Sequence, residues 1–143
     1  MSGVCTVVTG ASSGIGAAVA ARLLAHGENV VTVGQEKGVG GRNQEYCIAA
    51  ALQIAGSEKI VIGAVDTDGT DGPGGLDIPG APKCLAGALV DGDTAREALA
   101  AGEDLASALR THGTSAPLWR IGCGISASAN VSALDLGIIL ITA

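Results

Sequence analysis

The chain has 143 residues, a length typical of one domain with a core of its own. Its net charge is −6 and it has no cluster of Lys or Arg, which argues against nucleic acid or an anionic membrane as a partner. Its mean hydropathy is +0.45, but its apolar stretches are far shorter than the roughly 18 residues of a membrane span. The first apolar run follows no basic segment, so we expect no signal peptide and a cytoplasmic protein.

The composition restricts the kind of core that the chain can build. Hydrophobic residues make up 48% of it, yet it has no Phe, one Trp and one Tyr. The core must therefore consist of Ala, Val, Ile and Leu. Four cysteines are widely spaced without a CxxC pattern, which argues against zinc-ribbon and thioredoxin-type sites. We expect reduced, mostly buried cysteines.

A glycine-rich turn lies between the first predicted strand, residues 4–9, and the first predicted helix, residues 14–26. Its sequence is TGASSGIG, residues 9–16. Gly10 permits a sharp turn, Gly14 leaves room for a pyrophosphate and Gly16 allows close packing of the helix. Free N–H groups at the helix start offer an anion site. The candidate cofactor-binding residues here are Gly10, Ser12, Ser13, Gly14, Ile15 and Gly16.

A second such connection, GVGGRNQE at residues 38–45, joins a strand at residues 29–34 to a helix at residues 43–55. Its glycines deliver backbone N–H groups to the helix start, and Arg42 is suited to two-pronged contact with a carboxylate or phosphate. Glu45 either binds there, caps the helix or holds Arg42. The alternative is a structural connection with a surface arginine. The candidate ligand-binding residues are Gly40, Gly41, Arg42, Asn43 and Glu45.

An aspartate-rich segment, DTDGTDGP at residues 66–73, follows the strand predicted at residues 59–65. Asp66, Asp68 and Asp71 are crowded enough to require a cation, an arginine or backbone donors nearby. Their spacing does not match an EF-hand, so Mg²⁺ held with a substrate phosphate fits better than Ca²⁺. Alternatively, Asp68 and Asp71 cap turns. The Gly- and Pro-rich stretch 66–83 is predicted to be one long loop.

The remaining predicted elements are helices at residues 93–101 and 104–112 and strands at residues 121–127 and 136–142. His26 and His112 each precede a helix-ending glycine, a position that favours interaction with the helix dipole. Five strands alternating with helices predict a single α/β domain over residues 1–143. We expect a three-layer, doubly wound, mostly parallel, Rossmann-like sheet with ligands at the carboxyl ends of its strands.

The segment TGASSGIG resembles the short-chain dehydrogenase/reductase family over about residues 1–34. This resemblance implies an NAD(P)-binding start, with Glu36 as the candidate for reading the adenosine ribose. The family's catalytic Tyr-x-x-x-Lys pair is absent, because Ala50 stands four residues after Tyr46. Hydride transfer of that type therefore has no general acid here.

From about residue 29 to 143 the chain resembles the C-terminal MOFRL domain of glycerate 2-kinases. The resemblance rests on GVGGRNQE, DTDGTDGP, LAGALVDGDTAREA, THGTSAPLW and NVSALDL, which occur in that order. Asn130 and Asp135 match the closing motif, whereas Leu134 stands where an asparagine is expected. The resemblance implies a site that is shared with a larger N-terminal domain, which contributes the principal lysine.

Three functional hypotheses follow. In the first, the chain is a chimera of the two families, a nucleotide- or phosphate-binding domain with little or no activity alone. In the second, it is an active glycerate kinase component that uses ATP and Mg²⁺. In the third, it is an NAD(P)-binding reductase remnant. The expected partner is a small-molecule phosphate or carboxylate ligand, and a homodimer is an alternative to a monomer.

Overall fold

The computed structural model describes residues 5–9, 14–33, 38–128 and 134–142. The first three elements are a strand, a helix and a strand, and a long central helix follows them. These are β1 (Cys5–Thr9), α1 (Gly14–Ala25), β2 (Asn29–Val33) and α2 (Arg42–Gln53). The later elements are β3 (Ile60–Asp66), β4 (Gly87–Asp91), α3 (Thr94–Ala100), α4 (Leu105–Arg110), α5 (Ser115–Arg120), β5 (Gly124–Ile125) and β6 (Asp135–Ile141).

The strands within the described residues form two separate sheets. β1 and β2 pair in parallel, whereas the other four strands form an antiparallel sheet in the order β5-β4-β3-β6. The α/β class is therefore confirmed, but the prediction of one mostly parallel, five-stranded Rossmann-like sheet is wrong. The physical reason is the connection from β3 to β4, which contains no helix. Parallel neighbours need a crossover, usually helical, whereas a returning loop makes them antiparallel.

Most helix predictions are confirmed within two residues, but the region after α4 differs. Residues 115–120 form α5, which the sequence pattern does not indicate, and the strand predicted at 121–127 shrinks to β5. Pro117 lies in the first turn of α5, where its missing N–H costs no hydrogen bond. β4 is the other unpredicted element, because its sequence GALVD is short and glycine-containing.

The core lies between α2 and one face of β3 and β4. It consists of small aliphatic side chains, as the composition predicts. Ile48 of α2 is fully buried, and burial of such a side chain contributes about 1.5–3 kcal/mol. Other core members are Cys47, Ala51, Ile62, Ala64, Leu85, Ala88, Val90 and Leu118.

The described thiols are free, and burial raises the pKa of Cys47 to about 12. It therefore stays protonated and behaves as a small apolar side chain. None of the helices in the described ranges is long and apolar enough to cross a membrane.

Candidate functional site

Three elements meet where β3 ends and β6 begins, and they place an arginine between two carboxylates. Arg42 is the first residue of α2, Asp66 the last of β3 and Asp135 the first of β6. The β3–β6 register places Asp66 directly opposite Asp135. Two like charges in such a pair repel each other. The Arg42 guanidinium lies between them and offsets that repulsion.

The Arg42 guanidinium makes a two-pronged contact with Asp135. Nε donates to Oδ2 and Nη2 donates to Oδ1, both over 2.8 Å. Nη2 also donates to Oδ2 of Asp66, over 2.5 Å. The hydrogen bonds from Arg42 hold the pKa of Asp135 below its usual range, and the Asp135 contact raises the pKa of Arg42.

The N-terminus of α2 binds an anion, and that anion is the carboxylate of Asp71. Its oxygens accept from the backbone N–H groups of Asn43 at 3.1 Å and Gln44 at 2.9 Å. The Asp71 side chain thus satisfies N–H groups that a helix start leaves without partners. Asp71 is 1% exposed, and its burial raises its pKa although these donors oppose the shift.

Asn43 connects the Asp71 cap to the arginine cluster. Its Nδ2 donates to Oδ1 of Asp71 at 3.1 Å and to Oδ1 of Asp135 at 2.7 Å. One side chain therefore fixes the distance between the aspartate-rich loop and the start of β6. Because Asp135 also grips Arg42, the position of the guanidinium depends on this whole chain of contacts.

The glycines before α2 allow two other backbone segments to approach closely. A Cβ at Gly40 would lie 2.2 Å from Oγ1 of Thr114, and one at Gly41 would lie 2.1 Å from the carbonyl oxygen of Asp71. Both residues are buried. The packing at these two positions therefore supports the alternative in which the glycine-rich segment is a structural connection.

Gln44 and Glu45 point into the protein. Gln44 Oε1 accepts from Oγ of Ser115 at 2.6 Å, and its Nε2 donates to the Asp71 carbonyl at 2.9 Å. Glu45 is 1% exposed and lies 2.9 Å from Nδ1 of His112. Glu45 thus contacts His112, a pairing that the sequence pattern does not indicate for either residue.

The three aspartates predicted as metal ligands have separate partners. Asp66 pairs with Arg42, and Asp71 caps α2. Asp68 accepts from the N–H and hydroxyl of Thr70 at 2.8 and 2.7 Å, the turn-capping alternative. Among the residues that the structure describes, no group of three or more His, Cys, Asp or Glu could hold a metal ion. Since these carboxylates do not converge, a metal role for them stays a prediction.

The glycine turn TGASSGIG lies partly outside the residues that the structure describes. Gly10, Ser12 and Ser13 lie outside the described residues, as does Asn130. Gly14, Ile15 and Gly16 are the first residues of α1. Their role in binding a dinucleotide stays a prediction.

A small pocket adjoins the arginine cluster. It has a volume of about 190 Å³ and is lined by Arg42, Asn43, Tyr46, Ala64, Asp135 and Gly137. This volume is below the range of drug-sized pockets and suits a ligand of few atoms. Asp135 is identified from the sequence only as a motif position, and Tyr46 is not identified as a site residue. The missed signal for Tyr46 is its spacing, because residues i and i+4 share a helix face.

Two curated proteins resemble the chain over most of its length. The chain is 36% identical over 123 residues to the D-glycerate 2-kinase of Thermotoga maritima, covering 84% of this chain and 27% of that protein. It is 35% identical over 100 residues to the glycerate 2-kinase of Pyrococcus horikoshii, covering 70% of this chain and 20% of that protein. The chain therefore spans about a quarter or less of the length of these relatives.

Solved structures show the same fold. The crystal structure of glycerate kinase from Thermotoga maritima superposes with a TM-score of 0.65 at 26% identity, covering 99% of this chain and 37% of that one. A Pyrococcus horikoshii structure, at 24% identity and a TM-score of 0.64, supports the fold alone. Residues 21–129 match the MOFRL family. The chain belongs to the MOFRL family.

Proposed function

We propose that this chain supplies an Arg42-centred half of a glycerate 2-kinase site and transfers no phosphoryl group by itself. The observation that carries the proposal is the Arg42–Asp66–Asp135 cluster beside a small pocket. The cluster belongs to a chain that is 36% identical to a D-glycerate 2-kinase and spans 27% of it.

The donors and acceptors that remain at the pocket suit a small hydroxy acid. Arg42 uses Nε and Nη2 for its aspartates, while its Nη1 donates to no described residue. The two Nη1 hydrogens are available for a ligand carboxylate. The Asp135 side chain is 44% exposed and can accept from a ligand hydroxyl. D-glycerate carries both groups and is small enough for the pocket.

The charges around the pocket explain why the chain alone should be inactive. Arg42 is one cation beside the carboxylates of Asp66, Asp135 and Asp71. Phosphoryl transfer requires cations that neutralise the charge on the transferring group. We infer that the groups that bind ATP, and Mg²⁺ with it, come from the part of a kinase that this chain does not span.

Calorimetric titration of the chain with D-glycerate tests the ligand assignment. We expect weak, saturable binding that Arg42→Ala reduces by about tenfold or more, because a charge-assisted contact is lost. Arg96→Ala is the matched control, since Arg96 is an exposed arginine in a local ion pair with Asp93. An enzyme-coupled ADP assay should detect no turnover. Equal binding by both variants, or turnover by the chain alone, contradicts the proposal.

As a second candidate function, we propose a dinucleotide site within residues 1–34, whose TGASSGIG motif resembles that of dehydrogenases. What supports it is the parallel β1–β2 pair on either side of α1. Two findings argue against a separate origin for this segment. The family match begins at residue 21, and the structural similarity to glycerate kinase extends over 99% of the chain. Fluorescence enhancement of NAD(P)H that Gly14→Val abolishes would favour a dinucleotide site, and no enhancement would refute it.

A further inference from the structure

Gly137 lies in the interior of β6, where a glycine usually weakens a strand. Its backbone is not in the left-handed conformation that favours glycine, since its φ is not among the positive ones. No bulge interrupts the strand, because β6 pairs with β3 in one continuous register from Asp135 to Ile141. Neither backbone conformation nor strand geometry therefore accounts for a glycine at this position.

Packing within the described protein does not require this glycine either. A Cβ at Gly137 would meet nothing within 4 Å, whereas one at Gly40 or Gly41 would clash with neighbouring groups. The strand register places Gly137 directly opposite Ala64, and such a pair shares one face of the sheet. Ala64 is 4% exposed and belongs to the core that α2 covers. A side chain at position 137 would therefore extend into open space on the α2 face.

That open space belongs to the small pocket beside the arginine cluster. Gly137 and Ala64 line the pocket from the sheet, and Tyr46 lines it from α2. Asp135 also lines it and precedes Gly137 by two residues, so the two lie on the same face of β6. The sheet side of the pocket is thus built from two very small residues next to the carboxylate that holds Arg42.

We propose that Gly137 is a specificity-determining residue, which keeps room in this pocket for the carbon chain of a short, unbranched hydroxy acid. A glycine inside a strand often marks a place where a ligand approaches the backbone closely. The inference rests on the proposed function and adds a limit on the size of the acid. Any side chain at position 137 would narrow the pocket without disturbing the fold.

A ligand accounts for this space better than a further protein segment does. Nη1 of Arg42 donates to no described residue. An apolar segment that covered the pocket would bury its hydrogens without an acceptor, which is costly. A ligand carboxylate supplies that acceptor. The 44% exposed side chain of Asp135 likewise suits a ligand hydroxyl.

Calorimetric titration of the 143-residue chain with D-glycerate, and with the shorter hydroxy acid glycolate, tests the proposal. Gly137→Val should weaken D-glycerate binding by about tenfold or more, because its side chain takes the space of the ligand. Gly137→Ala should have a smaller effect in the same direction. Glycolate should lose less affinity than D-glycerate in both variants. Gly137→Ala should melt no earlier than the unmodified chain, since its methyl group meets no described atom.

Gly63→Ala is the matched control. It adds the same methyl group to the neighbouring strand on the opposite face, where the group meets the tip of the exposed Leu89 side chain. It should leave both affinities unchanged. The proposal is overturned if Gly63→Ala weakens binding as much as Gly137→Ala does. A lower melting temperature of Gly137→Ala, or equal losses for the two acids, also overturns it.

The outcomes separate the role of Gly137 from the proposed function. Binding that Arg42→Ala weakens and Gly137→Val leaves unchanged overturns the role of Gly137 and supports the arginine site. Binding that Gly137→Val weakens and Arg42→Ala leaves unchanged supports the size limit and contradicts the carboxylate contact of Arg42. Absence of binding of either acid to the unmodified chain overturns both.

Discussion

Arg42 and Asp135 are 93 positions apart in the chain, yet two parallel hydrogen bonds of 2.8 Å join the guanidinium to the carboxylate. This contact ties the start of α2 to the start of β6. Both side chains are more than 40% exposed, so solvent limits the stability that the pair contributes. Its main effect is to orient Arg42, because the planar fork of an arginine fixes geometry as well as charge.

Asp71→Ala should destabilise the protein by about 2 kcal/mol, because it leaves buried N–H groups at the start of α2 without an acceptor. Urea denaturation followed by circular dichroism measures the change. Asp68→Ala is the control, since Asp68 caps only an exposed turn and should leave the unfolding midpoint in place. A larger effect at Asp68 than at Asp71 would contradict this assignment.

Gly41→Ala should cost about 3 kcal/mol or more, because the added methyl group meets the backbone of Asp71 and rigid backbone cannot yield cheaply. Gly137→Ala provides the comparison, since a Cβ there has nothing within 4 Å. It should be neutral or slightly stabilising in a strand. Thermal melts of both variants measure the difference, and similar melting temperatures would refute the close approach at Gly41.

Leu134→Asn should stabilise the protein by about 0.5–1 kcal/mol, because Leu134 has φ 68°, a left-handed conformation that asparagine tolerates better than leucine. Asparagine is also the residue that the family resemblance leads one to expect there. The backbone conformation at residue 134 therefore suits the expected asparagine better than the leucine that is present. A lower unfolding free energy for the asparagine variant would contradict this explanation.

The stability that Asp135 contributes should depend on acid pH. Because Arg42 lowers the pKa of Asp135 from its ordinary 3.8, the contribution is full above that value and is lost as pH falls through the lowered pKa. The difference in urea midpoint between the protein and Asp135→Asn should therefore be larger at pH 7 than at about pH 2.5. A difference that is constant or grows in acid would show that the lowered pKa is not the cause.

The sequence predicts the helices well because their apolar spacing and glycine stops are local signals. Strand direction is not local, since β6 pairs with β3 across about 70 to 80 positions, and the prediction of a parallel sheet is wrong for that reason. The start of α2 holds an anion, but that anion is the protein's own Asp71 and not a ligand. Sequence patterns cannot distinguish an internal carboxylate from a ligand at such a helix start.

The most direct test of the kinase assignment replaces the matching segment of Thermotoga maritima D-glycerate 2-kinase with this chain and measures ATP-dependent phosphorylation of D-glycerate. The hybrid should be active, and Arg42→Ala should lower kcat/KM by about a hundredfold or more, as expected for a charged contact at the reacting substrate. Arg96→Ala in the same hybrid should retain full activity. A folded, active hybrid that is indifferent to Arg42→Ala would contradict the role of Arg42 in the site.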